Sequence, residues 1–412
     1  MRQSRLPHLM WIWLGCLVLC LVVDFFYFPN NTTFPDEQRF LASASGLVQT
    51  GQFRVGADRA WDMPGPAMFF AVAVYWFGSE WAVTAIRVVQ ALLVAFQSTM
   101  IFTIAVRVFE DRLVATVAAT IAAFYPFFIY YQGLLLSETL FNTFLVAGFA
   151  GLYWWRSRGL RIDRAFVATC VCFAAATMSK ATLTLLPPLL LVATAWAARQ
   201  PPRRLFELSL AASLLYVMLL LPWWIRNYQT FGTFVPFATG SGINFYIGNN
   251  PNSADGGISW VTNVEPEVFQ RINAIPDELA RQQAFVNAAI EYIKRDPAGF
   301  LVRMGKKLAR FWNVVPNAAA FNSGIYKVIS IVTYGPVLLL AIVGAVRLRK
   351  RWDMLLPIGL LMAYFTFVHA VTIASLRYRL PLEPFLIVLA AEPLARAGQW
   401  LSNAIQVHQD PK

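Results

Sequence analysis

Residues 9–40 read LMWIWLGCLVLCLVVDFFYFPNNTTFPDEQRF. The apolar run at its start is about twenty residues long, enough to cross a bilayer. It leads through aromatics into a polar stretch that places Asp36 beside Glu37, with Arg39 close by. The run has no small-x-small cleavage site, so it reads as a retained first span and not as a signal peptide. Trp13, three places before Cys16, is also a poor residue for lipoprotein processing. The whole chain agrees with a membrane reading. Hydrophobic residues are 58% and charged residues 14% of 412 positions, and the mean hydropathy is +0.53. This composition excludes a soluble domain and gives an all-α polytopic membrane protein.

The formal charge of +12 lies in short basic clusters between apolar runs. There is no basic stripe with interleaved aromatics, so nucleic acid is not an expected partner. Cys16, Cys20, Cys170 and Cys172 all fall within apolar runs and form no metal-ligand spacing, so they read as small core residues. Apolar windows place spans near 8–28, 80–106, 113–132, 136–155, 164–179, 182–199, 206–225, 327–346, 354–373 and 380–397. The basic turns MRQSR, RVFEDR, WWRSRGLRIDR, RQPPRR and RLRKRW all fall on one side of this ten-span alternation. Lys and Arg mark the cytoplasmic side, so the N-terminus is inside.

Two long segments, 29–79 and 226–326, then lie on the outer side. The expected organisation is an N-terminal membrane module (1–225), an outer segment with short helices (226–326), and C-terminal spans with a short cytoplasmic tail (327–412). WDMPGPAMFFAVAVYWFG (61–78) reads as a helix lying at the outer interface. AGFLVRMGKKLARFW (298–312) reads as an amphipathic helix, with Phe300, Met304, Lys307 and Leu308 at helical spacing. There is no internal repeat of the kind found in many secondary transporters.

Against this charge map the exceptions are informative. Lys180 in TMSKAT, Arg226 in LPWWIRN, and Arg377 and Arg379 in SLRYRLP are basic in short outer turns or at outer span ends. One bland reading is snorkelling to headgroups. Gathered at one face, they read as a clamp for a phosphate, with Arg supplying a planar fork and Lys a point charge. A carboxylate pair on the first loop and cations on later span ends suit glycosyl transfer from a polyprenyl-phosphate sugar. The cations hold the leaving phosphate, and a carboxylate takes the acceptor proton.

At this point the chain resembles the GT-C superfamily of glycosyltransferases, specifically family 39, which includes protein O-mannosyltransferases and the aminoarabinose transferase of lipid A. FPDEQRF resembles its Asp-Glu loop. The likeness continues through FGSEWAVTAIRVVQALL, LLLSETLF, LPWWIRNYQTFGTFVPF, FYIGNNP and RYRLPLEPFLIVLA, in order along nearly the whole chain. The resemblance implies a GT-C fold, an inverting polyprenyl-phosphate-dependent enzyme, Asp36 as catalytic base and Glu37 as its neighbour. In some relatives carboxylates of this loop bind a divalent metal, which the resemblance extends to Asp36 and Glu37. Relatives often carry a basic residue before Pro-Pro at the interfacial helix, whereas this chain has Asp62, Met63 and Pro-Gly-Pro. That departure removes a phosphate contact there and raises Asp62 as a second acid.

Further candidates line the expected site. Glu138 sits at the outer start of a span, where a carboxylate also suits a helix N-terminus, and Ser137 reads as a cap. His369 is the one histidine inside a span, read as a hydrogen-bonded core residue or a pocket wall. Asn249 and Asn250 lie in the turn IGNNPNSADGG, whose amides suit sugar hydroxyls. Asn31-Thr-Thr matches a glycosylation acceptor, a short and commonly accidental pattern. The expected partners are membrane lipid, a polyprenyl-phosphate sugar donor, and a glycolipid, polysaccharide or protein acceptor. The expected place is the inner (plasma) membrane, with the active site facing the periplasm or exterior. A flippase or transporter of lipid-linked saccharide, and a polysaccharide polymerase or ligase, are the rival functions.

Overall fold

The computed structural model describes residues 6–28, 32, 34–253, 264–316 and 323–409. The MRQSR turn, the Asn31 acceptor pattern and residues 254–257 of the polar turn lie outside the described residues. In chain order the helices are α1 (Leu6–Tyr27), α2 (Pro35–Thr50), α3 (Pro64–Phe109), α4 (Arg112–Ala123), α5 (Pro126–Gln132), α6 (Ser137–Ser157), α7 (Arg164–Ser179) and α8 (Leu186–Ala197). They continue as α9 (Pro202–Phe231), α10 (Ser241–Gly248), α11 (Pro266–Asn273), α12 (Glu278–Arg295), α13 (Pro297–Trp312), α14 (Gly324–Leu348), α15 (Trp352–Val371), α16 (Leu376–Arg379) and α17 (Glu383–Gln409). Among the described residues the one extended pairing is an isolated bridge between Val55 and Asp58.

Each expected span coincides with a helix or a broken helix. By length and apolarity alone, however, only four stretches of the described residues qualify: His8–Tyr27, Pro64–Phe109, Pro202–Phe231 and Gly324–Val371. The count reaches five when α4 and α5 are taken as one span bent by 47°. That bend was not expected from the sequence. It falls at Pro126, which lacks an amide proton and disfavours helix in the residue before it. The break expected near residue 78 is present: Gly78 has φ 67° and ψ 173°. Only glycine tolerates that backbone, so α3 divides there. The part before Gly78 exposes Met68, Val72, Tyr75, Trp76 and Phe77.

The four described basic turns meet at one end of the bundle, where Arg204 donates to the Leu160 carbonyl at 3.2 Å. Arg351 pairs with Glu110 at 2.9 Å, Arg156 with Asp353 at 2.5 Å and Arg396 with Asp111 at 2.9 Å. Asp111 and Asp163 there also cap α4 and α7 by accepting backbone N–H groups. At the other end the two long connecting segments lock together through buried Glu278. Its carboxylate accepts the Ala60 amide at 3.1 Å, the Arg59 amide at 2.6 Å and the Thr239 hydroxyl at 2.6 Å.

Between α5 and α6 the chain is not helical, and its backbone groups need partners from elsewhere. Gln90 Nε2 donates to the carbonyls of Gln132 (2.6 Å) and Leu134 (2.9 Å), and Arg87 Nε donates to Gly133 (2.9 Å). This clamp fixes where α6, and with it Glu138, begins. Near the start of α3, a Cβ on Gly65 would lie 2.7 Å from the Met178 carbonyl oxygen, so only glycine lets α3 approach the end of α7 this closely.

Lys307 departs from the amphipathic expectation. It is fully buried, and its ammonium donates to Asn249 Oδ1 at 2.8 Å and to the Val371 carbonyl at 3.3 Å. Burial, reinforced by Arg303, pushes its pKa down to about 7. An unfolded lysine titrates near ~10.4. Between those values the unfolded chain binds more protons than the folded one, so this residue makes stability rise with pH over that window and exacts its full cost below it. Lys307→Met should therefore flatten the increase in melting temperature between pH 7 and 10, measured on detergent-solubilised protein. An unchanged slope would mean that Lys307 does not titrate in that range.

Candidate active site

α2 starts at Pro35, which puts Asp36 and Glu37 in its first turn, where carboxylates suit the helix N-terminus. Successive helical residues point about 100° apart, so the pair diverges. Glu37 turns inward and is fully buried. Its Oε1 accepts the Phe34 amide at 2.9 Å, and its Oε2 accepts the Leu135 amide at 3.0 Å in the α5–α6 link. Asp36 turns the other way, into a cavity of about 300 Å³.

Around Asp36 runs a continuous ionic chain. Asp36 Oδ1 accepts Arg39 Nη1 at 2.7 Å, and Oδ2 accepts Arg377 Nη1 at 2.6 Å. Arg39 continues to Asp62 through Nε at 2.7 Å and Nη2 at 3.3 Å. Arg377 continues to Glu138, with Nη2 donating to Oε2 at 3.1 Å and Nε to Oε1. Lys180 closes the chain on Glu138 Oε1 at 2.7 Å. Three carboxylates thus meet three cations, and such pairing is what lets charges stay away from water.

Local fields tune these groups. Burial pushes the Asp36 carboxyl up, but the guanidiniums of Arg377 and Arg39 outweigh it and hold the pKa below the usual carboxylate range. Asp62 goes the other way: burial raises it despite Arg39. For Lys180, burial together with repulsion from Arg377 outweighs the pull of Glu138 and lowers it. At neutral pH Asp36 is therefore an ionised acceptor facing the cavity.

A second cavity, an apolar groove of about 130 Å³, is lined by Pro126, Phe127, Tyr130, Tyr131 and Ile329, with Arg310 and Arg377 among its polar groups. Arg377 borders both spaces. Its neighbour Tyr378 lies on the first cavity and stacks on His369, at 4.8 Å between ring centroids.

The structure brings Asp36, Asp62, Glu138, Lys180, His369 and Arg377 together at this first cavity, Glu138 from beneath it through Lys180 and Arg377. Ser137 also lines it, but the cap position of α6 is Leu136, so Ser137 does not cap that helix. His369 is both wall and core residue. Its Nδ1 meets the Ile373 carbonyl at 2.9 Å, so that nitrogen must carry the proton.

Other candidates sit elsewhere. Arg226 donates to the Phe53 carbonyl at 2.8 Å and to Asn227 Oδ1 at 2.9 Å, against the rings of Phe53 and Trp223. Arg379 is fully buried, paired with Glu383 at 3.0 Å and set over the Tyr334 ring at 3.4 Å. Asn249 donates to the carbonyls of Phe245 and Val371 (both 3.0 Å), and Asn250 to those of Tyr246 (2.9 Å) and Ile247 (3.1 Å). Both asparagines fasten backbone and do not line the cavity.

The donor set does not fit a metal on Asp36 and Glu37. They face opposite sides, Glu37 is taken up by two amides and Asp36 by two guanidiniums. Among the described residues no group of three or more His, Cys, Asp or Glu is arranged to hold one. Sequence reading passed over Asn244, Tyr378 and Arg310, which line the two spaces. Only Tyr378 had a signal, its place beside Arg377.

A family model described as dolichyl-phosphate-mannose-protein mannosyltransferase matches residues 57–237. The fold is similar to that of the oligosaccharyltransferase AglB from Archaeoglobus fulgidus, solved with an inhibitory peptide and a dolichol-phosphate. The TM-score is 0.58 at 12% identity, over 100% of this chain and 53% of that one. The apo form of the Archaeoglobus fulgidus oligosaccharyltransferase gives the same score at 12% identity, over 100% and 52%. This chain therefore spans about half the length of those proteins. ArnT from Cupriavidus metallidurans, solved with undecaprenyl phosphate, gives 0.46 at 15% identity, over 98% and 81%. No curated protein matches the chain. The expected family resemblance is borne out over residues 57–237, which leaves FPDEQRF, FYIGNNP and RYRLPLEPFLIVLA outside the match, and the all-helical GT-C fold is borne out over the whole chain.

Glu37 should act on stability. Glu37→Gln turns one buried acceptor into a donor facing an amide N–H, a change that costs roughly 1–3 kcal/mol. The expected result is a lower melting temperature with donor affinity retained. An unchanged melting temperature would contradict the anchoring role.

Proposed function

We propose that this chain is an integral membrane glycosyltransferase that moves a sugar from a polyprenyl-phosphate donor to an acceptor hydroxyl or phosphate. The reaction takes place at the end of the bundle opposite the basic turns, which faces the periplasm or exterior. One observation carries the reading: Arg377 stands where an apolar groove meets a polar, carboxylate-lined cavity. Support comes also from the family description, which names a lipid-phosphate sugar donor.

The polyprenyl tail occupies the groove, and its phosphate meets Arg377 and Arg310. A guanidinium has five N–H donors. Three of those on Arg377 are engaged with carboxylates, leaving two for phosphate oxygens. Lys180 adds charge from the cavity side. The sugar enters the cavity, where Asp62 and Asn244 are within the lining as hydroxyl partners.

The acceptor oxygen attacks the anomeric carbon as the bond from that carbon to the phosphate oxygen breaks. The bonding electrons leave with the polyprenyl phosphate, and an acceptor hydroxyl gives its proton to Asp36 as the new bond forms. Attack opposite the departing phosphate inverts the anomeric centre. The cations hold the charge that grows on the leaving group. No step passes through a metal.

A flippase would carry polar groups along the depth of its spans. Here the charged cavity sits at one end, which favours a transferase. A polymerase or ligase would share the phosphate contacts without needing the Asp36 loop.

The test is transfer of labelled sugar from polyprenyl phosphate by detergent-solubilised protein, with glycolipid, polysaccharide and protein acceptors offered in turn. At saturating donor, single-turnover transfer by Asp36→Asn should fall by about 10²–10⁴-fold. A rate near wild type would remove Asp36 from the chemistry, and lipid translocation without transfer would favour the flippase. Arg377→Ala should weaken donor binding about tenfold or more, since a charged hydrogen bond is worth roughly 1.5–3 kcal/mol. Arg377→Lys should not fully restore it, because the fork is lost.

A further inference from the structure

The helices that reach the active site also frame a cavity at their far ends. α6 runs from Glu138 to Arg156, about 27 Å at 1.5 Å per residue. α15 likewise has Met354 near one end and His369 near the other. That length is close to the roughly 30 Å of a bilayer's hydrocarbon core. The far cavity, about 500 Å³, is lined by Arg107, Glu110, Tyr153, Arg156, Ser157 and Met354, among others.

Three charged residues line this cavity, and only Arg107 among them lacks an oppositely charged partner among the described residues. Arg156 is held by Asp353 at 2.5 Å and by the Thr194 carbonyl at 3.2 Å, and Glu110 is taken by Arg351 at 2.9 Å. Arg107 has a different set of partners. Its Nη1 donates to Ser157 Oγ at 2.6 Å, its buried Nε has no hydrogen-bond partner, and among the described residues no carboxylate pairs with it. A partly buried guanidinium without an anion costs free energy that a bound anion offsets. Val106, Leu160 and Ala198 give the wall an apolar side, and Gln200 adds a further polar group.

We propose that this cavity binds the phosphodiester headgroup of an anionic glycerophospholipid from the leaflet opposite the active site. Arg107 supplies the planar fork that phosphate oxygens accept from. The Ser157 and Tyr153 hydroxyls on the same wall donate to the Trp154 and Met354 carbonyls (2.7 and 2.6 Å), so the charge on the phosphate is met by Arg107, while the apolar side takes the glycerol and the start of the acyl chains.

Native mass spectrometry of the full chain in detergent, titrated with phosphatidylglycerol or phosphatidylcholine, tests this. Wild type should retain phosphatidylglycerol preferentially, and Arg107→Gln should weaken that binding by about tenfold. Arg107→Lys, which keeps the charge without the fork, should fall between them. Arg203→Gln, exposed on the first turn of α9 beside Glu207, should bind as wild type. Unchanged phosphatidylglycerol affinity in both Arg107 variants would overturn the proposal. Glycerol 3-phosphate competing as strongly as the lipid would overturn the lipid as ligand in favour of a soluble phosphate.

Discussion

The guanidinium of Arg377 joins Asp36, on the first helix after the first span, to Glu138, at the start of a helix deep in the bundle. Around it the chain continues to Asp62 through Arg39 and to Lys180 through Glu138. These residues come from five separate parts of the sequence, and Ser241 and Asn244 of the second outer segment complete the wall, so the cavity exists only when the bundle and both outer segments are assembled. Removing one partner would leave an opposite charge uncompensated, which is why the surrounding backbone is held so firmly. Glu278 fastens the two outer segments, and Glu37 with Gln90 and Arg87 fastens the link that leads to Glu138.

Charge balance also fits the proposed chemistry. The donor's phosphodiester carries one negative charge, and the departing phosphate monoester gains a second. Cations fixed at the junction bind the state with more charge more tightly, and that difference is what lowers a barrier. Two guanidiniums make Asp36 a weaker base than an isolated carboxylate. Proton transfer to it then belongs late in the step, once the attacking oxygen has become acidic through bonding to carbon.

Much of this was legible in the sequence, because lipid imposes simple rules. Apolar runs and basic turns located the helices and gathered the turns at one end. Lys180 and Arg377 stood out as cations where the charge rule disfavours them, and both lie in the ionic chain. The same rule misplaced their companions. A charge that breaks the pattern is known only to avoid lipid, and it does so equally well in a cavity or in a buried pair. Arg379, two residues from Arg377, turns into the core onto Glu383 and Tyr334. Arg226 finds carbonyls and rings under the first outer segment. Adjacent Asp36 and Glu37 part because a helix turns them apart. Arg310, which lines the groove, came from an outer helix that read only as amphipathic.

Transfer by the proposed route depends on where the donor phosphate sits. A cryo-EM structure of the protein with polyprenyl phosphate bound would show this directly. The expected density places the phosphate within hydrogen-bonding distance of Arg377 where the two spaces meet, with the tail along Phe127, Tyr130 and Ile329. A phosphate lodged elsewhere, with Arg377 contacting only Asp36 and Glu138, would contradict it.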